Sequence, residues 1–289
     1  MFPAQFEYHR AASVKDALSL LGRFGDDAKL LAGGHSLLPM MKLRLAQPAH
    51  LIDLAGIREL AFVREEAGKI VIGAATTHNQ LETSELVRAK LGLLAECAAA
   101  IGDVQVRNRG TIGGSLAHAD PAADYPAGVL ALEAEIKLES ASGTRSVKAS
   151  DFFVDLLTTA IKPGEILTQV SFTPPSAGTG HAYVKHPQPA SGFAIVGVAA
   201  MLKLDARGNC ENARVAVTGL GAKAFRAKAV ETALAGKAPS AEAIASAAAH
   251  AADGVDSMSD IHASADFRAE LARVYTRRAL EQALARCKR

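Results

Sequence analysis

Two short segments have the residue types that hold phosphate. Ala32-Gly33-Gly34-His35-Ser36 and Thr111-Ile112-Gly113-Gly114-Ser115 each follow an apolar, strand-like run and end in a hydroxyl residue. Successive glycines lack a Cβ, so backbone N–H groups can converge on an anion, and a serine adds a hydroxyl donor. One Gly-Gly pair is more often a tight turn that binds nothing. Two of similar form, about 80 residues apart, fit a pair of loops gripping the two phosphates of a dinucleotide.

Other signals carry less. Gly219-Leu-Gly221-Ala-Lys-Ala224 fits G-x-G-x-x-A after Arg214–Val217, but only alanine-rich sequence follows, so a Rossmann unit cannot be completed. A strand-to-helix turn is the better reading. His118-x-Asp120 with Asp124 has the outline of a metal site, but nothing else nearby supplies a soft or imidazole ligand at a suitable spacing, and Asp120 before Pro121 reads as a helix cap. The three cysteines, Cys97, Cys210 and Cys287, are too few for an iron–sulfur cluster and too scattered for a zinc knuckle. There is no GxSxG elbow, no P-loop and no acid–base or nucleophile constellation. The expectation is no metal site and no catalytic side chain. Any chemistry then belongs to a bound cofactor.

The elements around these segments follow from pattern. Residues 13–24 read as an amphipathic helix capped by Ser13 and ended by Gly25. Short strands are expected at 29–32 and 50–54, and a hairpin over 61–74 turned by Ala67-Gly68. Thr77-x-x-Gln80 is a capping box that opens a broken helical stretch to about Ala100. A helix is expected from Asp120-Pro121 to Leu132, then strands near 135–140, 144–148 and 165–172. Thr173 to Gly180 is the best linker, and strands at 181–185, 193–204 and 213–218 follow it. Ala222–Ala252 has 15 alanines in 31 residues, which favours closely packed helices. A last helix starts at Ser264, with Phe267, Leu271, Val274 and Tyr275 on one face, and runs to Cys287-Lys288-Arg289. Strands followed by helices make the second part α+β.

Size and charge exclude several classes. The chain has 289 residues, about two domains' worth, with 49% hydrophobic and 21% charged residues. That composition packs cores and is not disordered. Lys+Arg of 32 against Asp+Glu of 30 gives +2, with no basic stripe or aromatic platform for nucleic acid. The longest apolar run, Gly192–Leu202, is too short to span a bilayer, and the first residues do not read as a secretory signal, so a cytoplasmic setting is expected.

AGGHSLLPMMKLR (32–44) and RGTIGGSLAHADPAADYPA (109–127) closely resemble the medium, FAD-binding subunit of the molybdenum hydroxylases, the family of aerobic carbon monoxide dehydrogenase and the xanthine dehydrogenases. FPAQFEYHRAASVKDAL (2–18), KPGEIL (162–167) and SGFAIVGVAAML (191–202) extend the resemblance over the whole chain. It implies an α+β fold: a two-lobed FAD-binding domain of the p-cresol methylhydroxylase type over 1–174, with lobes of about 1–55 and 56–174. A smaller α+β domain of the CO dehydrogenase flavoprotein type, with an antiparallel sheet and helices, would occupy 178–289.

The same resemblance assigns Leu31, Ala32, Gly33, Gly34, His35, Ser36 and Leu37, with Thr111, Ile112, Gly113, Gly114 and Ser115, to the pyrophosphate and ribityl chain. Asp124 falls where the family has an FAD-contacting aspartate. Leu167 and Lys185 match a leucine and a lysine near the isoalloxazine, where the lysine would favour a negatively charged reduced ring. The alternative reading of Lys185, on its own residues, is a solvated strand lysine. Ile101 stands where some relatives carry an aromatic against the ring. A histidine in a Gly-Gly-His loop is a covalent flavin link in a distant branch of the superfold, but in this family the FAD is non-covalent, and that is the expectation for His35.

The implied function is electron transfer. Electrons from a substrate oxidised on a large molybdopterin-binding subunit would cross a small 2Fe–2S subunit to this FAD and then reach an acceptor, in a dimer of heterotrimers. Two alternatives stand beside it. One is a self-sufficient flavin oxidase or dehydrogenase, which needs a base over the ring that the sequence does not display. The other is a non-catalytic module for a phosphate-containing ligand.

Overall fold

A computed structural model describes residues 1–287; Lys288 and Arg289, the end of the expected last helix, lie outside the described residues. Chain order starts with β1 (Glu7–Arg10), α1 (Val14–Phe24), β2 (Ala28–Leu31), α2 (Leu37–Lys42) and β3 (His50–Asp53). The three strands form a parallel sheet in the order β1-β3-β2. Ser13 accepts from the Asp16 N–H at 3.1 Å and starts α1, while Gly25 at φ 53° ends it, as expected. Val14 and Ala17 pack with Ala28, Ile52 and Leu54 into a small core of this lobe. Because the strands are parallel, all three run out at one end of the sheet, and β2 delivers the first glycine pair there.

The next segment holds β4 (Val63–Glu66), β5 (Lys69–Gly73), α3 (His78–Thr83), α4 (Glu85–Lys90), α5 (Gly92–Ala100), α6 (Val104–Arg109), α7 (Ile112–His118) and α8 (Asp124–Ala131). After these come β6 (Glu135–Ser140), β7 (Gly143–Lys148), α9 (Ala149–Phe152), β8 (Phe153–Asp155), β9 (Thr158–Thr159) and β10 (Ile166–Phe172). Five strands make an antiparallel sheet, β4-β5-β10-β6-β7. Ala67 and Gly68 both have positive φ (49° and 76°), the geometry of a tight hairpin turn. The Thr77/Gln80 capping box forms in full.

The remainder holds β11 (Gly180–Pro187), β12 (Ala194–Leu204), β13 (Cys210–Thr218), β14 (Phe225–Arg226), α10 (Lys228–Leu234), α11 (Ala241–Ala248) and α12 (Ala265–Arg286). The antiparallel sheet β11-β12-β13-β14 is covered by α12, which packs on β11 and β12. No helix among the described residues is long and apolar enough to cross a membrane.

Three local expectations need correction. The helix expected from Asp120 begins at Asp124; Asp120 instead holds a turn by accepting from the Ala122 N–H at 2.8 Å. After β13 the chain makes a turn and the short β14 before α10, so Gly219–Ala224 does not lead directly into a helix. On α12, Phe267 is 47% exposed, and the buried stripe runs through Arg268, Leu271, Ala272, Thr276, Ala279, Leu280 and Ala283. Arg268 can be buried because its guanidinium donates to the carbonyls of Ile195 (2.6 Å) and Gly219 (2.7 Å) and to Asp260 (2.6 Å).

Helix α8 joins the two halves. All eight of its residues are buried, and it packs on α5 on one side and on β12 and β13 on the other. The approach to it is stitched to the C-terminal sheet: the Thr218 hydroxyl donates to the Pro121 carbonyl (2.7 Å), and the Ala194 N–H to the Ala122 carbonyl (3.1 Å). Asp124, the first residue of α8, is thereby fixed where the halves meet.

Candidate functional site

The two glycine pairs lie side by side in space. A Cβ built on Gly33 would sit 2.2 Å from the Arg109 carbonyl oxygen and 2.7 Å from the Gly110 Cα, so the two backbones touch with no room for a side chain. They line one cavity of about 650 Å³, a size that suits a cofactor.

The two segments do different work. Among the described residues, none of the backbone N–H groups from Ala32 to Leu37 has a backbone acceptor in the fold, while the chain turns at Gly34 with φ 79°. Half-buried amide donors without partners are costly unless something accepts from them. The second pair is not a loop but the first turn of α7. Thr111 caps it by accepting from the Gly114 N–H at 3.0 Å, Ile112 donates to the Thr76 carbonyl (3.1 Å) and Gly113 to the Ala74 carbonyl (2.9 Å). Its N–H groups are therefore already partnered, contrary to the picture of two equivalent amide nests. What it offers is close approach and the Ser115 hydroxyl, which with Ser36 lines the cavity. The six consecutive free N–H groups and the glycine-lined approach fit a diphosphate bridge.

A second cavity of about 610 Å³ is lined by Lys69, Lys148, Lys223, Arg226 and Lys228, among others. Several of its cations are already engaged: Lys69 on Glu135 (2.6 Å), Arg226 on Glu231, Lys228 on Glu231 (3.0 Å), and Lys223 on the Phe153 (3.0 Å) and Val154 (2.8 Å) carbonyls. Free donors favour the first cavity.

Comparison with known proteins agrees. Residues 4–175 match the family described as the FAD binding domain in molybdopterin dehydrogenase, and residues 181–283 the CO dehydrogenase flavoprotein C-terminal domain. The chain belongs to the FAD-binding medium subunits of the molybdopterin dehydrogenases. It is 44% identical to the carbon monoxide dehydrogenase medium chain of Hydrogenophaga pseudoflava, covering 99% of this chain and 100% of that one. It is 40% identical to the 6-hydroxypseudooxynicotine dehydrogenase complex subunit alpha of Paenarthrobacter nicotinovorans, covering 100% and 97%. A solved structure of carbon monoxide dehydrogenase from H. pseudoflava superposes with TM-score 0.97 at 46% identity, covering all of both chains. The expected α+β fold, with an FAD-binding part followed by a C-terminal antiparallel sheet and helices, holds for this member of the family.

The cavity brings together most of the expected residues of this FAD subunit. Ala32 to Leu37, Ile101, Thr111, Gly113, Gly114, Ser115, Asp124 and Leu167 line it. Three do not. Leu31 ends β2, and Ile112, the first residue of α7, has its side chain fully buried in the core. Lys185 is the third. It is not a solvated strand lysine: its side chain is 10% exposed, and its ammonium donates to Asp124 (3.1 Å), the Ala100 carbonyl (2.6 Å) and the Gly192 carbonyl (2.5 Å). All three of its protons are thus directed into the protein.

Asp124 is the counter-charge. Burial pushes its carboxyl above the usual range, while the Lys185 ammonium and the Tyr183 hydroxyl, donating at 2.6 Å, pull it back. Lys185 consequently fastens two chain segments, Ala100–Gly102 and Ser191–Phe193, both of which border the cavity. A Cβ on Gly192 would meet the Gly102 Cα at 3.2 Å, so these segments touch. Phe193 is 45% exposed at this rim, an aromatic near the position where Ile101 offers none. The decoy metal outline is not assembled: His118 Nε2 is 3.9 Å from Asp120, while Asp124 pairs with Lys185 instead.

His78 is a cavity residue that the pattern of residue types did not reveal. It opens α3, is 4% exposed, and its Nδ1 finds no partner among the described residues. Its ring meets Tyr125 edge-on at 5.2 Å and faces Gly110, whose Cβ would come within 2.4 Å of Nε2. A lone histidine after a capping threonine carries no signal in sequence; its place is set by the bond from its N–H to the Gly110 carbonyl (3.0 Å). Burial first, then the nearby His35 and Arg107 charges, lower its pKa to about 4. A histidine depressed in the folded state is protonated more readily when unfolded, so stability is lost as pH falls from about 6.5 to about 4. The shift corresponds to about 3 kcal/mol once both states are protonated. Urea melts of wild type and His78→Asn between pH 7 and 4 should show the pH slope flattened in the variant.

Proposed function

We propose that this chain is the FAD-carrying electron-transfer subunit of a multi-subunit molybdenum hydroxylase. It takes electrons from the iron–sulfur clusters of a small 2Fe–2S subunit, fed by a large molybdopterin-binding subunit, and passes them to an external acceptor. The observation that carries the reading is the run of unpartnered N–H groups from Ala32 to Leu37, set against the glycine face of α7 in one cavity. Membership of the FAD-subunit family and likeness to the carbon monoxide dehydrogenase medium chain support it. FAD supplies the redox step when bound; the residues of this chain bind and orient it.

Leu31 to Leu37 and Thr111 to Ser115 are assigned to the pyrophosphate and ribityl chain, Leu31 and Ile112 acting by shaping the backbone of their segments. Ile101 and Leu167 border the ring with Phe193, while Asp124 and Lys185 hold the rim. The FAD-binding part is assigned to 1–174 and the C-terminal part to 178–289. The complex is assigned to the cytoplasm as a dimer of heterotrimers. The FAD is held without a covalent bond, although His35 lines the cavity.

The test mixes the FAD-loaded chain anaerobically with its chemically reduced 2Fe–2S partner and follows flavin absorbance. The flavin should bleach with the partner and remain oxidised with a panel of small organic donors alone. Reduction by a donor without the partner would instead favour a self-sufficient dehydrogenase. Acid precipitation should release all the flavin into the supernatant.

A further inference from the structure

At the end of the parallel sheet where the strands begin, opposite the end that delivers the first glycine pair, three potential metal ligands converge. Glu7 and His9 lie two residues apart on β1 and so share a face, and Glu7 is the direct register partner of His50 on β3. His9 Nε2 is 3.1 Å from His50 Nδ1, and the Glu7 carboxylate oxygen lies 3.4 Å from His50 Nδ1 and 3.8 Å from His9 Nε2. The edge of a tetrahedron with metal–ligand bonds of about 2.0–2.1 Å is about 3.3 Å, so the triangle is already close to the size of one coordination face.

The rings are held in place. Phe24, the last residue of α1, stacks on both imidazoles, with centroids 3.8 Å from His50 and 4.7 Å from His9. Both histidines are mostly buried, with 23% and 20% of their side chains exposed, while Glu7 is 72% exposed and leaves an open approach from solvent. A neutral imidazole can carry its proton on the ring nitrogen that faces away, His9 on Nδ1 and His50 on Nε2, which leaves a lone pair on each of the two facing nitrogens.

We propose that Glu7, His9 and His50 form a binding site for a first-row divalent cation of the zinc type, completed by water. Two imidazoles and one carboxylate are the donor set such ions accept. The ion would join β1, which is an edge strand paired only with β3, to the centre of its sheet. Glu7 and His50 lie in register with Ala28, three residues before the end of β2, while His9 is level with Leu30. The role is structural, and none of the three ligands lines the cofactor cavity. Residue spacing did not point here, because 41 positions separate the two histidines.

The experiment titrates the purified full chain with Co²⁺ and follows its visible ligand-field bands, then repeats the titration with Zn²⁺ by calorimetry. One site is expected, with a rise of several degrees in Tm on saturation. His9→Ala/His50→Ala should weaken binding by about a hundredfold or more, since loss of even supporting interactions around a metal costs 10–100-fold. Glu7→Gln, at an exposed position, serves if the double variant fails to fold, and it should weaken binding about tenfold. An anomalous-scattering peak among the three ligand atoms in a Zn²⁺-soaked crystal would support the site. It is overturned if the wild type takes up no ion, if the variants bind as wild type does, or if the peak lies at another histidine.

Discussion

Gly33→Ala is expected to emerge from purification without its flavin. The new Cβ would be placed 2.2 Å from the Arg109 carbonyl oxygen and 2.8 Å from its carbon. Both obstacles are backbone at the end of α6, so no flexible side chain can move away. The two segments must part, which pulls the donors of Ala32–Leu37 away from the face of α7. A hundredfold loss of FAD affinity, about 2.7 kcal/mol, is the expected minimum, read by fluorescence titration of the apoprotein. Gly22→Ala is the control. That glycine lies within α1 with nothing within 4 Å of the added carbon, and alanine is the better helix former there, so this variant should keep its flavin.

Lys185→Met should be the second severe change, and through the protein rather than by direct contact with the cofactor. The substitution leaves Asp124, with 5% of its side chain exposed, without a counter-charge, and it frees the Ala100 and Gly192 carbonyls. Breaking one side of a buried ion pair costs about 3–5 kcal/mol, moderated as the carboxyl takes up a proton. A loss of about 3 kcal/mol in urea melts is expected, together with weaker FAD binding as the two rim segments loosen. Lys185→Met/Asp124→Asn should be more stable than Lys185→Met alone, because the orphaned charge is gone. If the double variant is as unstable as the sum of the single changes, the pair is not coupled as the geometry indicates.

Much of this architecture could be read from local chemistry. Ser13 with Gly25, Thr77 with Gln80, and Ala67-Gly68 each mark an element boundary through a backbone donor or a positive φ within a few residues, and each forms as expected. The Gly113-Gly114 pair misled because glycine disfavours a helix interior. Here Thr111 caps the turn and Gly113 lets the helix press on Ala74, whose Cβ would otherwise lie 2.5 Å from the new carbon. Long-range partners account for the other surprises. Arg268 is buried through the carbonyls of Ile195 and Gly219, 73 and 49 residues away, and no periodicity can announce such acceptors. Lys185 matched its family position, but its partnership with Asp124 and two carbonyls belongs to the tertiary structure. His78 was hidden for the same reason, since its cavity position depends on a backbone bond to Gly110.

The most direct test is the crystal structure of the chain loaded with FAD. The account requires the diphosphate to lie between the two glycine segments, accepting from backbone N–H groups of Ala32–Leu37. A diphosphate bound elsewhere, for example in the cleft lined by Lys69, Lys223 and Arg226, with those N–H groups left to solvent, would contradict it.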